Sequence, residues 1–196
     1  MSSGKPTKEP FSLFGKWYEE MLASPSGEPT AMILATASAD GRVSSRVVLL
    51  KGYNESGLYF FTNYNSHKAM QLESNNHAAL LFYWPNQGRQ VRIEGRAYKI
   101  TEEESDAYFI TRPTDSRLGA WASEQSSPIE SQRVIEERVS YFRNRFGDNI
   151  PRPPHWGGYV IAPVMFEFWE EGEHRLHSRL VFNRTEDGWK TVRLAP

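Results

Sequence analysis

The fold is indicated most clearly by the segment Phe166-Glu-Phe-Trp-Glu-Glu-Gly-Glu-His-Arg-Leu-His-Ser-Arg-Leu-Val-Phe182, which has the pattern of two β-strands joined by a turn. Its first half alternates apolar and polar residues, which is typical of a half-buried β-strand. Gly172 marks a turn, and a second strand is predicted to begin near Leu176. The segment therefore predicts two neighbouring antiparallel strands.

Basic residues recur along the predicted second strand. Arg175, His177 and Arg179 are spaced two apart, so we expect them on one strand face, near the indole of Trp169. A row of cationic side chains beside an indole ring indicates a ligand that is both charged and planar. A solvated strand surface is the alternative. A metal site is not predicted, because His174 and His177 lack a third ligand.

The composition limits the class of protein. The chain has 196 residues, of which 39% are hydrophobic and 24% charged, with a net charge of −1 and no cysteine. These values predict one globular domain over residues 10–196, after a flexible segment at residues 1–9, and exclude disulfides and cysteine chemistry. Near neutrality argues against nucleic-acid and membrane partners. The longest apolar run, Ala78 to Trp84, is too short for a membrane span, so we expect a cytoplasmic protein.

Short strands separated by turn residues dominate the sequence outside the opening segment. Asp40-Gly41, for example, lies between two apolar runs and predicts a hairpin. The predicted strands are Ala31 to Ala37, Val43 to Leu50, Leu58 to Thr62, Ala78 to Trp84, Gln90 to Ile100, Tyr159 to Trp169, Leu176 to Asn183 and Trp189 to Leu194. Their near-regular spacing predicts an antiparallel barrel or sandwich.

Helices are predicted between and around these strands. Thr101 and Glu104 form a capping-box pattern, and Ser127-Pro128-Ile-Glu130 repeats it. The predicted helices begin near Pro10, Ser66, Thr101, Thr114 or Asp115, and Ser127, and they end near Leu22, Glu73, Ile110, Trp121 and Phe146. The predicted fold class is therefore mainly β with peripheral helices (α+β).

Two groups of residues resemble anion sites. His67 and Lys68 begin a helix, where positive side chains are unfavourable unless an anion binds the free N–H groups. Tyr108, Arg112 and Ser116 offer a phenol, a bidentate donor and a hydroxyl near another helix start. The alternatives are an exposed lysine at the first site and an arginine capping helix carbonyls at the second.

The sequence has no Gly-x-Gly-x-x-Gly, Walker or Gly-x-Ser-x-Gly motif, and it offers no obvious protein nucleophile. Arg46 nevertheless lies in an apolar strand, which is an unusual place for a guanidinium without a ligand. Anion sites and aromatic surface without a nucleophile suit a protein in which a cofactor carries out the chemistry.

Several motifs in order resemble the pyridoxine (pyridoxamine) 5′-phosphate oxidase family, from about Pro10 to Pro196. They are Arg46-Val-Val-Leu-Leu-Lys51, Phe61-Thr62, Ser66-His-Lys-Ala69, Arg89-Gln-Val91, Arg112-Pro-Thr-Asp-Ser116, Gly119-Ala-Trp121, Gln125-Ser-Ser127 and Phe168-Trp-Glu-Glu-Gly-Glu-His-Arg-Leu-His177. The resemblance implies an FMN-binding split β-barrel that forms a homodimer, with FMN at the subunit interface.

The resemblance also implies roles for individual residues. FMN binding would fall on Arg46, Val47, Val48, Leu49, Leu50, Lys51, Phe61, Thr62, His67, Lys68, Gln90, Gln125, Ser126, Trp169 and Arg179. Substrate binding would fall on Lys51, Tyr108, Arg112, Ser116, Arg175, Leu176 and His177, with Arg175 and His177 as the catalytic pair.

The reaction implied by the resemblance is oxidation of pyridoxamine or pyridoxine 5′-phosphate to pyridoxal 5′-phosphate, by hydride transfer to the flavin and reduction of O2 to H2O2. One alternative is an FMN oxidase of another planar ring compound, of the phenazine-pathway type. Others are a flavin- or heme-binding module without turnover, and a purely structural barrel.

Overall fold

The computed structural model describes residues 9–25 and 27–196. Within them lie five helices: α1 Glu9–Ala23, α2 His67–Ser74, α3 Glu102–Ile110, α4 Thr114–Ala122 and α5 Gln132–Phe146. The strands are β1 Ala31–Ala37, β2 Val43–Leu49, β3 Gly52–Asn54, β4 Gly57–Asn63, β5 His77–Trp84, β6 Arg89–Lys99, β7 Trp156–Glu170, β8 Ser178–Thr185 and β9 Gly188–Arg193.

The strands form one antiparallel sheet that divides at β7. The main order is β2-β1-β5-β6-β7-β4-β3, and β8 and β9 branch from β7. The first part of β7 pairs with β4, from Trp156 to Ile161, whereas its second part pairs with β8, from Met165 to Glu170. This architecture confirms the predicted mainly β split barrel with peripheral helices.

Two hydrophobic clusters hold the fold together. In the larger cluster, α1 buries Phe14, which contacts Phe82 of β5 edge to face at a centroid distance of 5.2 Å. The smaller cluster packs Phe109 of α3 and Leu118 of α4 around Trp156, all fully or nearly fully buried. Burial of each such side chain contributes about 1.5–3 kcal/mol. The smaller cluster fixes α3 and α4 against the start of β7.

The capping box at the start of α3 is confirmed. Thr101 Oγ1 accepts a hydrogen bond from Glu104 N at 3.1 Å, and Glu104 Oε2 accepts one from Thr101 N at 3.0 Å. The second predicted capping box is wrong, since α5 begins at Gln132 rather than at Pro128. Residues 124–127 form a turn instead, in which Ser126 has a φ of 75° and accepts a hydrogen bond from His67 N. This tertiary contact outweighs the local helix signal.

The predicted cationic face of the second strand is also wrong. β8 begins at Ser178, and a short turn, Glu173–Arg175, precedes it. Leu176 N donates to Glu173 O at 3.0 Å, and His177 Nδ1 accepts from Gly172 N at 3.3 Å. These hydrogen bonds close the turn, so Arg175 and His177 do not share a strand face with Arg179.

Residues 1–8 of the predicted flexible segment lie outside the described residues, and Glu9 is the first residue of α1. The other described elements follow the predicted order, except that the short strand β3 was not predicted and that β7 begins three residues before the predicted Tyr159. Among the described helices, none combines the length and the apolar character that crossing a membrane requires.

Candidate functional site

A cavity of about 1110 Å³ lies between β2, the end of β4, the start of α2, and the α3–α4 junction. Its wall includes five basic side chains, whereas no acidic side chain of the described residues lines it. The basic residues are Arg46, Lys51, His67, Lys68 and Arg112. A wall with this charge balance favours an anionic ligand.

Arg46 extends from β2 and is held by neutral acceptors. Its Nη1 donates to Leu34 O at 3.1 Å and to Thr36 Oγ1 at 2.6 Å, and its Nη2 donates to Ser44 Oγ at 2.7 Å. It forms no ion pair with any carboxylate in the described part of the chain. Burial lowers the pKa of Arg46. The charge is therefore oriented but not neutralised.

Lys68 lies in the first turn of α2 and is only 8% exposed. Its Nζ donates to Thr62 Oγ1 at 3.3 Å and to Ser66 Oγ at 3.5 Å, and within residues 9–25 and 27–196 it has no carboxylate partner. Burial lowers the pKa of Lys68, and the positive charge of Arg46 lowers it further. The buried Lys68 and the half-buried Arg46 thus repel each other beside a helix amino terminus, where an anion would relieve the repulsion.

Arg112 lines the cavity at the α3–α4 junction, where it packs against an aromatic side chain. Its Cζ lies 4.5 Å from the ring of Trp156, and its buried Nη1 has no hydrogen-bond partner among the described residues. Tyr108 stacks on Phe61 with ring centroids 3.9 Å apart. Burial lowers the pKa of Arg112, although Tyr108 opposes this shift. A buried guanidinium nitrogen without a partner marks a position for a ligand acceptor.

Trp156 lines this cavity and was not predicted as a site residue. The following Gly157-Gly158 pair was the available signal in the sequence. A Cβ at Gly158 would lie 2.8 Å from the ring of Phe61 and 2.4 Å from Ile100. The absence of a side chain at Gly158 therefore allows the ring of Phe61 to approach the β7 backbone closely.

The predicted site residues fall into two separate groups in the chain. The first group lines the cavity and consists of Arg46, Val47, Val48, Leu49, Lys51, Phe61, Thr62, His67, Lys68, Tyr108, Arg112, Ser116, Gln125 and Ser126. The second group does not line it and consists of Gln90, Trp169, Arg175, Leu176, His177 and Arg179. Leu50 belongs to neither group, since it is buried in the core.

The second group gathers at one end of β6, β7 and β8. Trp169 is the register partner of both Gln90 and Arg179, and its ring lies 4.6 Å from that of His177. Arg179 Nε donates to Glu167 Oε1 at 2.6 Å, and this contact raises the pKa of Arg179. Within one chain, the residues of each group therefore lie near one another, but the second group does not line the cavity formed by the first.

Comparison with known proteins identifies the family. Residues 18–146 match the family model described as pyridoxamine 5′-phosphate oxidase. The chain belongs to this family. Residues 156–196 match the model described as the pyridoxine 5′-phosphate oxidase C-terminal dimerisation region, which contains all of the second group except Gln90.

Relatives in the pyridoxamine 5′-phosphate oxidase family cover nearly the whole chain. Pyridoxine/pyridoxamine 5′-phosphate oxidase of Rubrobacter xylanophilus is 53% identical over 189 residues, covering 96% of this chain and 87% of the relative. The protein of the same name from Burkholderia multivorans is 52% identical over 191 residues, with coverage of 96% and 89%.

Solved structures share the fold. PhzG from Burkholderia lata 383, in complex with tetrahydrophenazine-1-carboxylic acid, has a TM-score of 0.92 and 34% identity, covering 97% of this chain and 94% of that one. A pyridoxamine 5′-phosphate oxidase-related, FMN-binding protein from Nostoc punctiforme has a TM-score of 0.73 and 20% identity, covering 100% of both chains. The second likeness concerns the fold alone.

Proposed function

We propose that the protein is an FMN-dependent oxidase that converts pyridoxamine or pyridoxine 5′-phosphate to pyridoxal 5′-phosphate, with O2 reduced to H2O2. With the amine substrate, water hydrolyses the oxidised imine and ammonia is released. The observation that carries the proposal is the cavity wall, which combines five basic side chains with no acidic one among the described residues. Two phosphorylated ring compounds would account for this charge. A cytoplasmic location stays a prediction.

The cavity residues fit FMN. Arg46, Lys68 and the amino terminus of α2 present charge and donors to a phosphate, and neither side chain is neutralised by an acid of the described chain. Gln125 and Ser126 reach the same region, since Gln125 Oε1 accepts from Thr62 Oγ1 at 3.2 Å. When bound, FMN would supply the hydride acceptor and the route for electrons to oxygen.

The part of the cavity wall around Arg112 is proposed to bind the phosphate of the substrate. Arg112 has a free buried nitrogen within the described structure, and Lys51, Tyr108 and Ser116 line the same wall. A charge-assisted contact of this kind contributes about 1.5–3 kcal/mol to binding. The two anion positions would hold the substrate ring at a fixed distance from the cofactor.

The second group is proposed to complete the cavity of another subunit. The match of residues 156–196 to a dimerisation region supports a homodimer. The edge strand β2 also exposes apolar side chains, with Val43 81% and Val47 63% exposed, next to the cavity residues. In such a dimer, Arg175 and His177 would orient the substrate ring and move a proton, while Trp169 and Arg179 would contact FMN.

A second candidate function is oxidation of another planar ring compound. It is favoured by the likeness to PhzG, which was solved with a carboxylated tetrahydrophenazine. That compound carries a carboxylate in place of a phosphate, and the unpartnered Arg112 nitrogen suits either anion, so the choice of substrate decides between the two candidates. A flavin- or heme-binding module without turnover is the other alternative.

The test is anaerobic reduction of the purified, FMN-loaded protein. We expect pyridoxamine 5′-phosphate to bleach the flavin absorption, and readmitted oxygen to restore it with one H2O2 per pyridoxal 5′-phosphate. Pyridoxamine without its phosphate is the matched control and should react far more slowly. Bleaching by tetrahydrophenazine-1-carboxylic acid alone would favour the second candidate, and bound flavin that no substrate bleaches would favour the module.

A further inference from the structure

Gln71 on α2 lies behind the cavity wall and is 5% exposed. Its Oε1 accepts hydrogen bonds from Thr36 Oγ1 at 2.5 Å and from Ser44 Oγ at 2.7 Å, and it lies 3.5 Å from Arg46 Nη2. Its Nε2 makes only a long contact of 3.5 Å, to Arg42 O. The neutral Oε1 of Gln71 thus accepts hydrogen bonds from side chains of both β1 and β2.

The same hydroxyl groups hold Arg46. Thr36 Oγ1 and Ser44 Oγ accept from its two terminal nitrogens and donate their own protons to Gln71. The direction of these hydrogen bonds is therefore set by the amide oxygen, which has no proton to donate. Gln71 orients the two hydroxyls, and the hydroxyls orient the guanidinium.

A carboxylate in place of this amide would accept the same hydrogen bonds more strongly. The chain uses that solution elsewhere, since Glu167 binds Arg92 at 2.7 Å and Arg179 at 2.6 Å. Beside Arg46, however, a carboxylate would offset the positive charge of the cavity. The neutral amide of Gln71 accepts weaker hydrogen bonds than a carboxylate would, but it does not offset the positive charge of Arg46.

We propose that Gln71 is a positioning residue for the anion site: it orients Arg46 through Thr36 and Ser44 while leaving the charge of Arg46 uncompensated. The proposal rests on the proposed function, because it identifies the anion as the phosphate of FMN. Gln71 also links α2, which carries Lys68, to the strand that carries Arg46. Gln71 therefore helps to hold Arg46 and Lys68 in positions from which both can bind one phosphate.

Gln71→Glu separates this role from a purely structural one. The carboxylate has the same shape and still accepts from both hydroxyls, so the thermal midpoint of the flavin-free protein should stay the same or rise. The added charge opposes the phosphate, so the dissociation constant of FMN should rise at least tenfold. Riboflavin has no phosphate, and its dissociation constant should change by less than about twofold.

The experiment is a flavin-fluorescence titration of the full-length chain after removal of bound flavin. Wild type, Gln71→Glu and Gln71→Met are compared, with Gln132→Glu as the matched control. Gln132 is exposed at the start of α5 and does not line the cavity, so this control adds the same charge away from the site. Gln71→Met removes the acceptor and should lower both the thermal midpoint and FMN affinity.

Equal FMN affinity in Gln71→Glu and wild type would overturn the proposal. So would an equal loss of FMN and riboflavin binding, or a lower thermal midpoint in Gln71→Glu, because these results indicate a role in folding. If wild type binds FMN and oxidises pyridoxamine 5′-phosphate normally in those cases, only the role of Gln71 fails. A wild-type chain that binds no FMN overturns both this proposal and the proposed function.

Discussion

Replacing Lys68 with Met should stabilise the flavin-free protein while weakening FMN binding. Methionine has a similar length without the charge. The loss of two long hydrogen bonds, at 3.3 and 3.5 Å, costs about 1 kcal/mol in total. Removing a buried charge that has no carboxylate partner among the described residues gains about 2–3 kcal/mol. The free energy of unfolding should therefore rise by about 1–2 kcal/mol.

Thermal unfolding of flavin-free wild type and Lys68→Met measures the first effect. For a chain of this length, 1–2 kcal/mol corresponds to a rise of about 2–8 °C in Tm. The folded-state pKa of Lys68 is lowered, so between that pKa and the ordinary lysine value the unfolded state binds more protons. Wild-type stability should therefore rise with pH through this window, and the variant should lack that rise.

Fluorescence titration with FMN measures the second effect. Loss of a charge-assisted contact of about 1.5–3 kcal/mol raises the dissociation constant by about 10–150-fold. Lys190→Met is the matched control, because Lys190 is exposed on β9 and away from the cavity. The reasoning is refuted if Lys68→Met lowers Tm and leaves FMN affinity unchanged, since Lys68 would then stabilise the fold through its hydroxyl contacts.

Substitutions at three further positions test other parts of the site. Arg112→Ala should raise KM for pyridoxamine 5′-phosphate by about 10–150-fold with a smaller change in kcat; unchanged steady-state constants would remove Arg112 from the substrate site. Trp156→Leu should also raise KM, because Arg112 loses the ring 4.5 Å from its Cζ, whereas Trp156→Phe should restore most of the affinity. Arg175→Ala should lower kcat while FMN stays bound, and loss of FMN on purification would instead indicate a structural role.

Local signals in the sequence predicted most of the helices and strands. The alternation in β6 is an example, since Val91, Ile93 and Ala97 are buried while Glu94 and Arg96 are exposed. Side chains on a strand alternate between its faces whatever the fold around it, so such a pattern is readable without tertiary information. The capping box of α3 is equally local, because both partners lie within four residues.

Features that depend on distant contacts were not readable in the same way. The start of α5 is delayed because Ser126 binds α2, which is 59 residues away in sequence. The row formed by Arg175, His177 and Arg179 is broken by a turn in which His174 and Arg175 have φ values of 53° and 64°. Non-glycine residues rarely adopt such values, so spacing alone predicted a regular strand.

The prediction that the cavity residues belong to one site came from the resemblance to the family, and not from their positions in the sequence. Arg46 and Arg112 come from elements far apart in the chain, and only the fold brings them to one wall. Trp156 was missed because its role depends on Arg112 and Phe61, neither of which is near it in sequence. Sequence patterns identify such residue types but not their contacts.

The presence of an acidic partner distinguishes several arginines of the described residues from Arg46 and Lys68. Totals of 23 basic and 24 acidic residues suggest general pairing, and Arg89, Arg92 and Arg152 do bind carboxylates. Arg46 and Lys68 have none among the described residues, although burial makes their charges costly. A fold gains nothing from such charges, whereas a site for an anion requires them. A nearly neutral chain can therefore concentrate positive charge in one cavity, because none of the acidic side chains in the described residues lines that cavity.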